Sequence, residues 1–397
     1  MSVYDYCKTG NLKRLKKLSR GGGSILFIAP RWPDEDGWTP MMHGCYFGHL
    51  HIVKFLFQYG ARDDVRRPAN NGATPMWFAC WKGHSNIVQY LFQNGARDQI
   101  RRPNNIGRTP MFAACREGHL SIVQFLFQNG SAKDDVRRPD HFGKTPMFIA
   151  CCYDHLNIVQ FLFQNGATDD VTRANIKGVT PMCIACWKGH SNIVQYLFQN
   201  GAKDDVRQPD NNGSTPMLIA CQKDHLNIVQ FLFQNGAKDD VRRPADNKGT
   251  TPMLMACKEG HLNIVQFLHD HGAAQEINSP TMAFQPRTPL TIACERNRLN
   301  IVQWLIMQGT PSKNNIAPWL NKLNTQNRTI LFQQGIENRD VAHEELISFA
   351  CVVRNGSARQ NPVHGLDIGL ILDKISNYVQ GITSARSLWY AIVRQGP

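Results

Sequence analysis

The dipeptide Thr-Pro recurs at Thr39, Thr74, Thr109, Thr145, Thr180, Thr215, Thr251 and Thr288, at intervals of 35 or 36 residues until a last interval of 37. Self-similarity at this period restricts the chain to repeat architectures, in which one supersecondary unit is copied and stacked. Between the marks the copies share Thr-Pro-Met, Ala-Cys, Gly-His or Asp-His, Ile-Val-Gln, Leu-Phe-Gln-Asn-Gly-Ala and an Asp-Asp-Val-Arg-Arg-Pro segment. At 397 residues the chain exceeds the size of a usual single core, which stacking of units accommodates.

Each part of the unit has a physical reading. Threonine caps a helix by accepting a backbone hydrogen bond, and the proline after it occupies the first helical position, where a missing N–H costs nothing. A short helix is therefore predicted from Pro40, Pro75 and their equivalents. It ends near Gly83, Gly118 and Gly189, which permit a left-handed turn into a second helix. In one copy that helix carries Ile158, Val159, Leu162 and Phe163, giving one apolar face. Gly166 stops it, and the polar stretch from Asp169 to Gly178 suits an extended hairpin projecting from the helices.

These residues resemble the ankyrin repeat, whose pattern is a Thr-Pro-Leu-His-x-Ala start, a Gly-His turn, an Ile-Val-x-x-Leu-Leu helix and a Gly-Ala close. The resemblance covers residues 32 to about 309, and Cys7, Gly10, Asn11, Leu12 and Leu15 echo it in an N-terminal cap. Methionine replaces the family leucine after Thr-Pro, and the Ala202 to Gly213 link is two residues longer than usual. The implied fold is all-α, an ankyrin-repeat solenoid of stacked helix-turn-helix units with projecting hairpin fingers. The expected organisation is a capping repeat and lead-in at 1–31, eight repeats at 32–311, and a C-terminal helical module or cap at 312–397. In the last copy Asn297 and Arg298 replace Gly-His and residues 273–287 lose the Asp-Asp-Val-Arg-Arg-Pro finger, so the array is expected to fade there.

The repetition also explains several features that alone would suggest chemistry. Eight of the 12 cysteines, Cys45, Cys80, Cys115, Cys151, Cys186, Cys221, Cys257 and Cys294, hold one repeat position, as packing residues in a reducing compartment would. Cys183 and Cys186 form a C-x-x-C near His190, but the pair falls inside a helix with no second C-x-x-C. His49, His84, His119, His155, His190, His225 and His261 stand a repeat apart, about 8–10 Å by helix packing, too far to share one metal. The resemblance implies instead that they hydrogen-bond backbone between neighbouring repeats. No glycine-rich phosphate loop and no nucleophile-base arrangement stands apart from the repeat. The expectation is a non-enzyme with neither cofactor nor metal.

The formal charge of +13 is concentrated at the ends, with +5 in residues 1–20 and +3 in 312–397. The basic N-terminus, with Lys8, Lys13, Arg14, Lys16 and Lys17, has no apolar run beside it and does not read as a secretory signal. Apolar stretches such as Ile158 to Phe163 are far shorter than the roughly 20 residues that cross a bilayer. The expected location is the cytoplasm or nucleus, and the expected state a monomer. Arginine pairs at 66–67, 101–102, 137–138 and 242–243 form a ladder for phosphates or for their own aspartates.

What remains is a set of positions at which near-identical copies differ. By the resemblance, the concave face is lined by the residue before Thr-Pro and, as the pairs compared between copies, by the two residues after Ala-Cys. They are Tyr46 and Phe47, Trp81 and Lys82, Arg116 and Glu117, Cys152 and Tyr153, Trp187 and Lys188, Gln222 and Lys223, Lys258 and Glu259, with Ile106, His141, Phe142 and Ile176 at finger tips. Aromatic and arginine side chains are enriched in interface hot spots. The partner-binding set expected is Tyr46, Phe47, Trp81, Lys82, Arg116, Glu117, Phe142, Tyr153, Trp187, Lys188, Lys223 and Lys258. A protein partner is the first reading. The alternatives are nucleic acid or anionic membrane on the finger arginines, and an adaptor whose C-terminal helices recruit a second complex.

Overall fold

A computed structural model describes residues 2–20, 33–130, 135–244, 249–278 and 287–308. The helices suggested within 312–397 lie outside the described residues. The chain divides into two compact units, Met1–Ile219 and Ala220–Pro397. Among the described residues all regular structure is helical, as an all-α solenoid requires, and no helix is long and apolar enough to cross a membrane.

The first unit contains six helix pairs: α1 (Val3–Thr9) with α2 (Leu12–Arg20), α3 (Pro40–Phe47) with α4 (Leu50–Gln58), α5 (Pro75–Lys82) with α6 (Ser85–Gln93), α7 (Pro110–Glu117) with α8 (Leu120–Asn129), α9 (Pro146–Cys152) with α10 (Leu156–Gln164), and α11 (Pro181–Lys188) with α12 (Ser191–Gln199). The boundary with the second unit falls inside α13 (Pro216–Gln222). The second unit holds α14 (Leu226–Gln234), α15 (Pro252–Glu259), α16 (Leu262–Leu268), α17 (Pro289–Glu295) and α18 (Leu299–Met307).

The local signals act as their chemistry predicts. Thr74 and Thr109 accept from the backbone N–H groups of Trp77 and Phe112 at 3.3 and 3.2 Å, and proline follows each at the first helical position. First helices pack side by side, α3 on α5, α5 on α7, α7 on α9 and α9 on α11. Second helices form the layer behind them, α4 beside α6, α6 beside α8 and α10 beside both α8 and α12. Between the layers lie Met76, Met111, Ile87, Val88, Ile122 and Val123, all buried. The methionines fill the family's leucine sites without exposure, as an unbranched side chain of similar volume does. Burying an aliphatic side chain of this size stabilises by about 1.5–3 kcal/mol, so no helix pair is stable without its neighbours.

Histidines join the repeats. The Nε2–H of His84, His119, His155 and His190 donates to the carbonyl oxygens of Tyr46, Trp81, Arg116 and Cys152 at 3.0–3.2 Å. A carbonyl only accepts, so these bonds place the proton on Nε2. In the second unit His261 reaches the Gln222 carbonyl at 3.2 Å in the same way. Where the last copy lacks histidine, Arg298 Nε donates to the Lys258 carbonyl at 3.1 Å, and Asn297 takes the left-handed corner at φ 58°. The array therefore keeps its joint there with a different side chain. Replacing His119 by alanine is expected to cost about 1–2 kcal/mol, since the Trp81 carbonyl loses its donor. Replacing it by arginine is expected to restore part of that loss, and urea unfolding of the two variants checks the ranking.

The fingers are short 3-10 turns followed by tight loops. Asn104 N–H donates to the Arg108 carbonyl at 3.0 Å, and the Asn104 side-chain oxygen accepts from Ile106 and Arg108 N–H, closing a side-chain-supported turn. Tips are laced together by backbone bonds, His141 N–H to the Ile106 carbonyl at 3.0 Å and Ile176 N–H to the Phe142 carbonyl at 3.2 Å. In the second unit the missing Asp-Asp-Val motif is replaced by a 3-10 helix, Ala274–Asn278, which buries Ile277 and accepts the Thr251 hydroxyl on Glu276. The root of the finger thus survives a sequence that had suggested its loss.

Candidate functional site

Each first helix ends in a residue pair followed by a left-handed corner, usually glycine. Gly83 sits at φ 83°, and a Cβ there would lie 2.5 Å from His119 Cε1. The corner thus holds the preceding two side chains in register with those of the next repeat. The result is a connected row of the expected residues within the first unit.

The Tyr46 and Trp81 rings lie 5.6 Å apart, and Lys82 Nζ lies 4.5 Å from the first and 4.6 Å from the second. Trp81 Nε1–H donates to Glu117 Oε1 at 2.8 Å, Arg116 Nε lies 3.4 Å from the same oxygen, and the Arg116 guanidinium lies 5.3 Å from the Tyr153 ring. Four consecutive repeats are linked by these contacts. Trp187 follows, with Lys188 Nζ 5.5 Å from its ring.

The row is not uniform in exposure. Tyr46 and Trp81 are half-buried and pack with Trp38, Trp77 and Phe78, so much of their surface stabilises the fold. Phe47, Tyr153 and Trp187 are exposed to 43 %, 43 % and 47 % of their surface. Phe142, 45 % exposed, stands in the finger-tip lacing between Ile106 and Ile176, which are also exposed. Lys223 and Lys258 belong to the second unit, where Lys223 is exposed and Lys258 lies 3.4 Å from Glu259.

Three groups escaped the sequence reasoning. The Trp38 ring lies 4.2 Å from that of Phe78, tilted by 47°, and Trp77 Nε1–H donates to the Arg108 carbonyl at 3.1 Å. His43 is buried in α3 and its Nε2 lies 2.9 Å from Asp34 Oδ2, clasping the first finger to the helix. Burial holds the His43 imidazole below its ordinary pKa, and Asp34 opposes that shift. The available signal was that no other copy carries tryptophan at the positions of Trp38 and Trp77, or histidine at that of His43.

The groups that had suggested metal or redox chemistry are placed as scaffold. The ladder cysteines are buried, and burial pushes the thiols of Cys45, Cys80 and Cys115 up, away from the reactive thiolate. Cys183 Sγ donates to the Gln208 carbonyl at 3.6 Å, and burial raises its thiol to about 11. Among the described residues no three His, Cys, Asp or Glu side chains converge as ligands. The finger arginines lie against acids, Arg66 on Asp98 at 3.2 Å, Arg101 on Asp135 at 2.8 Å and Arg137 on Asp169 at 2.9 Å.

No curated protein matches the sequence as a relative. The family model for ankyrin repeats, which spans three copies, matches four successive stretches, 5–102, 98–175, 167–243 and 239–316. With threonine caps, histidine joints and laced fingers matched to that model from residue 5 to residue 316, the chain belongs to the ankyrin-repeat family.

Proposed function

We propose that this chain is a non-enzymatic interaction scaffold that docks a protein partner on the row of aromatic and charged side chains running from Tyr46 to Lys188. Ankyrin repeats are generally protein-interaction modules, which supports the broad role. The observation that carries the specific site is the linkage of variable residues across four repeats, Tyr46 to Trp81 to Glu117 to Arg116 to Tyr153. Scaffold residues repeat, whereas these vary and yet interlock. Phe47, Tyr153 and Trp187 supply exposed anchors, Lys82, Arg116, Glu117 and Lys188 a charged rim, and Phe142 a contact at the finger tips. Lys223 and Lys258 hold the corresponding positions in the second unit.

A partner fitting this surface presents an apolar patch edged by carboxylates. Finger arginines already lying against aspartates favour a protein over nucleic acid. Within the proposal, residues 1–31 are a capping repeat and lead-in, 32–311 hold eight repeats, and 312–397 form a further helical module or a cap. Exposed Tyr153 and Trp187 are the positions to test, because truncating half-buried Trp81 also weakens the fold. The Tyr153→Ala, Trp187→Ala double variant is expected to melt within a few degrees of wild type. Its partner affinity is expected to fall by about three orders of magnitude, at about 2 kcal/mol per hot-spot residue. Recovery of the same proteins at the same yield by both forms refutes the site.

A further inference from the structure

In the first unit, arginines tie neighbouring fingers in a fixed pattern. The first arginine of each pair reaches forward: Arg101 Nε lies 2.8 Å from Asp135 Oδ2, and Arg137 lies 2.9 Å from Asp169 and 3.6 Å from Asp170. The second reaches back. The Nη1 of Arg102, Arg138 and Arg173 each donates at 3.2 Å to the carbonyl of Arg66, Arg101 or Arg137, the first arginine of the preceding finger. Arg173 Nη1 also lies 3.6 Å from Asp170 Oδ1. One guanidinium therefore joins a buried carboxylate to a carbonyl of the neighbouring finger.

At the next junction both arginines are missing from the sequence. Thr172 stands in the forward position and Gln208 in the backward one, three residues after Asp205 as Arg173 is after Asp170. The Thr172 hydroxyl turns onto its own loop and donates to the Asp169 carbonyl at 3.3 Å. The acceptors recur all the same, as the Thr172 carbonyl and the Asp205 carboxylate. Asp205 is only 7 % exposed, and its Oδ2 is buried without a hydrogen-bond partner; both oxygens of Asp170 also lack one, but there Arg173 and Arg137 supply ion pairs at 3.6 Å, which Asp205 does not have from positions 208 and 172. Thr172 and Gln208 are exposed, so a group approaching from solvent reaches both.

The electrostatics differ in the same sense. Burial pushes the Asp205 carboxyl up to about 6, the Thr180 hydroxyl opposes that rise, and Asp204 adds to it. Burial raises Asp170 too, but Arg173 and Arg137 pull it back. A buried carboxylate is costly unless paired, and a guanidinium can donate to a carbonyl while its charge faces a carboxylate, as Arg173 does at the Arg137 carbonyl and Asp170.

We propose that the junction of Thr172, Asp205 and Gln208 is a receptor for a guanidinium group, supplied by an arginine side chain of a partner polypeptide. The incoming arginine takes the place that Arg173 holds one finger earlier. This site lies on the fingers, apart from the aromatic row, and does not depend on that row binding anything.

The probe is the capped tripeptide N-acetyl-Gly-Arg-Gly-amide, with its citrulline counterpart as a neutral control, titrated into the full chain while amide NMR signals of residues 203–210 are followed. Saturable shifts at millimolar arginine peptide are expected, with the citrulline peptide at least about tenfold weaker because it lacks the charge. Asp205→Asn is expected to abolish the shifts, and Gln99 at the equivalent position of an earlier finger shows that an amide fits there. Thr172→Arg with Gln208→Arg introduces the arginines that other fingers carry and is expected to block the probe. Absence of shifts in wild type, equal binding of citrulline, or retained binding in either variant overturns the proposal. Tighter binding of free arginine than of the capped peptide overturns the assignment to a polypeptide partner.

Discussion

Replacing Phe78 by alanine is expected to destabilise the first unit by about 3–5 kcal/mol, the range for a large aromatic removed from a close-packed core. Phe78 is fully buried, with the Trp38 ring 4.2 Å away and Trp77 at 5.6 Å. Those rings are rigid and anchored, Trp77 by its bond to the Arg108 carbonyl, so they do not collapse into the space. In a stack where each repeat touches only its neighbours, the loss is local. Unfolding in urea is therefore expected to split, with residues 33–117 losing amide protection before α9 to α12. Hydrogen exchange measures this directly, and a uniform loss along the unit contradicts it. Because Phe78 also packs with Tyr46, at 6.2 Å, the variant is expected to disturb the aromatic row as well.

The second large effect is expected at a helix corner. Gly118 sits at φ 82°, and a Cβ there would lie 2.6 Å from His155 Cε1, whose ring bonds the Arg116 carbonyl at 3.0 Å. Gly118→Ala therefore combines a left-handed penalty of about 1–2 kcal/mol with about 1 kcal/mol for a displaced hydrogen bond. Gly118→Asp is expected to cost less, although its side chain is larger. Asp154 and Asp224 already occupy this corner at φ 64°. Aspartate tolerates the left-handed region better than alanine does, because its short polar side chain can hydrogen-bond locally. Thermal melts of the two variants test the order, and alanine at or above aspartate in stability refutes it.

These predictions separate what was legible in the sequence from what was not. The threonine caps and glycine corners were readable because each is set by local chemistry that recurs at one position, whereas the methionine core sites and the histidine joints, which span 38 or 39 residues, were readable only through the resemblance to the ankyrin repeat. The aromatic row was readable only as a set of candidates. Trp81-Lys82 and Trp187-Lys188 are the same dipeptide at the same repeat position, yet Trp81 is half-buried and Trp187 is 47 % exposed. The difference comes from the neighbours: Tyr46 precedes Trp81 and Glu117 accepts its Nε1–H, whereas Cys152 and Tyr153 precede Trp187. Exposure in a stack is a property of adjacent repeats, which the reading of one repeat does not contain. Asp205 was hidden for the same reason, since its environment is defined by the residue at position 172 in another finger.

The histidine joints carry a consequence for how the chain finds its fold. The joints of His84, His119, His155 and His190 close loops of 38 or 39 residues, so the entropy of closing each is nearly the same. No joint has a kinetic advantage from chain length, and folding is free to nucleate at any adjacent pair of repeats. The sequences of α6 and α12 are identical, so slippage by whole repeats meets little resistance from the helices themselves. Register must then be chosen by the few non-repeating side chains, and the residues that depart from consensus act as an address for each repeat during assembly.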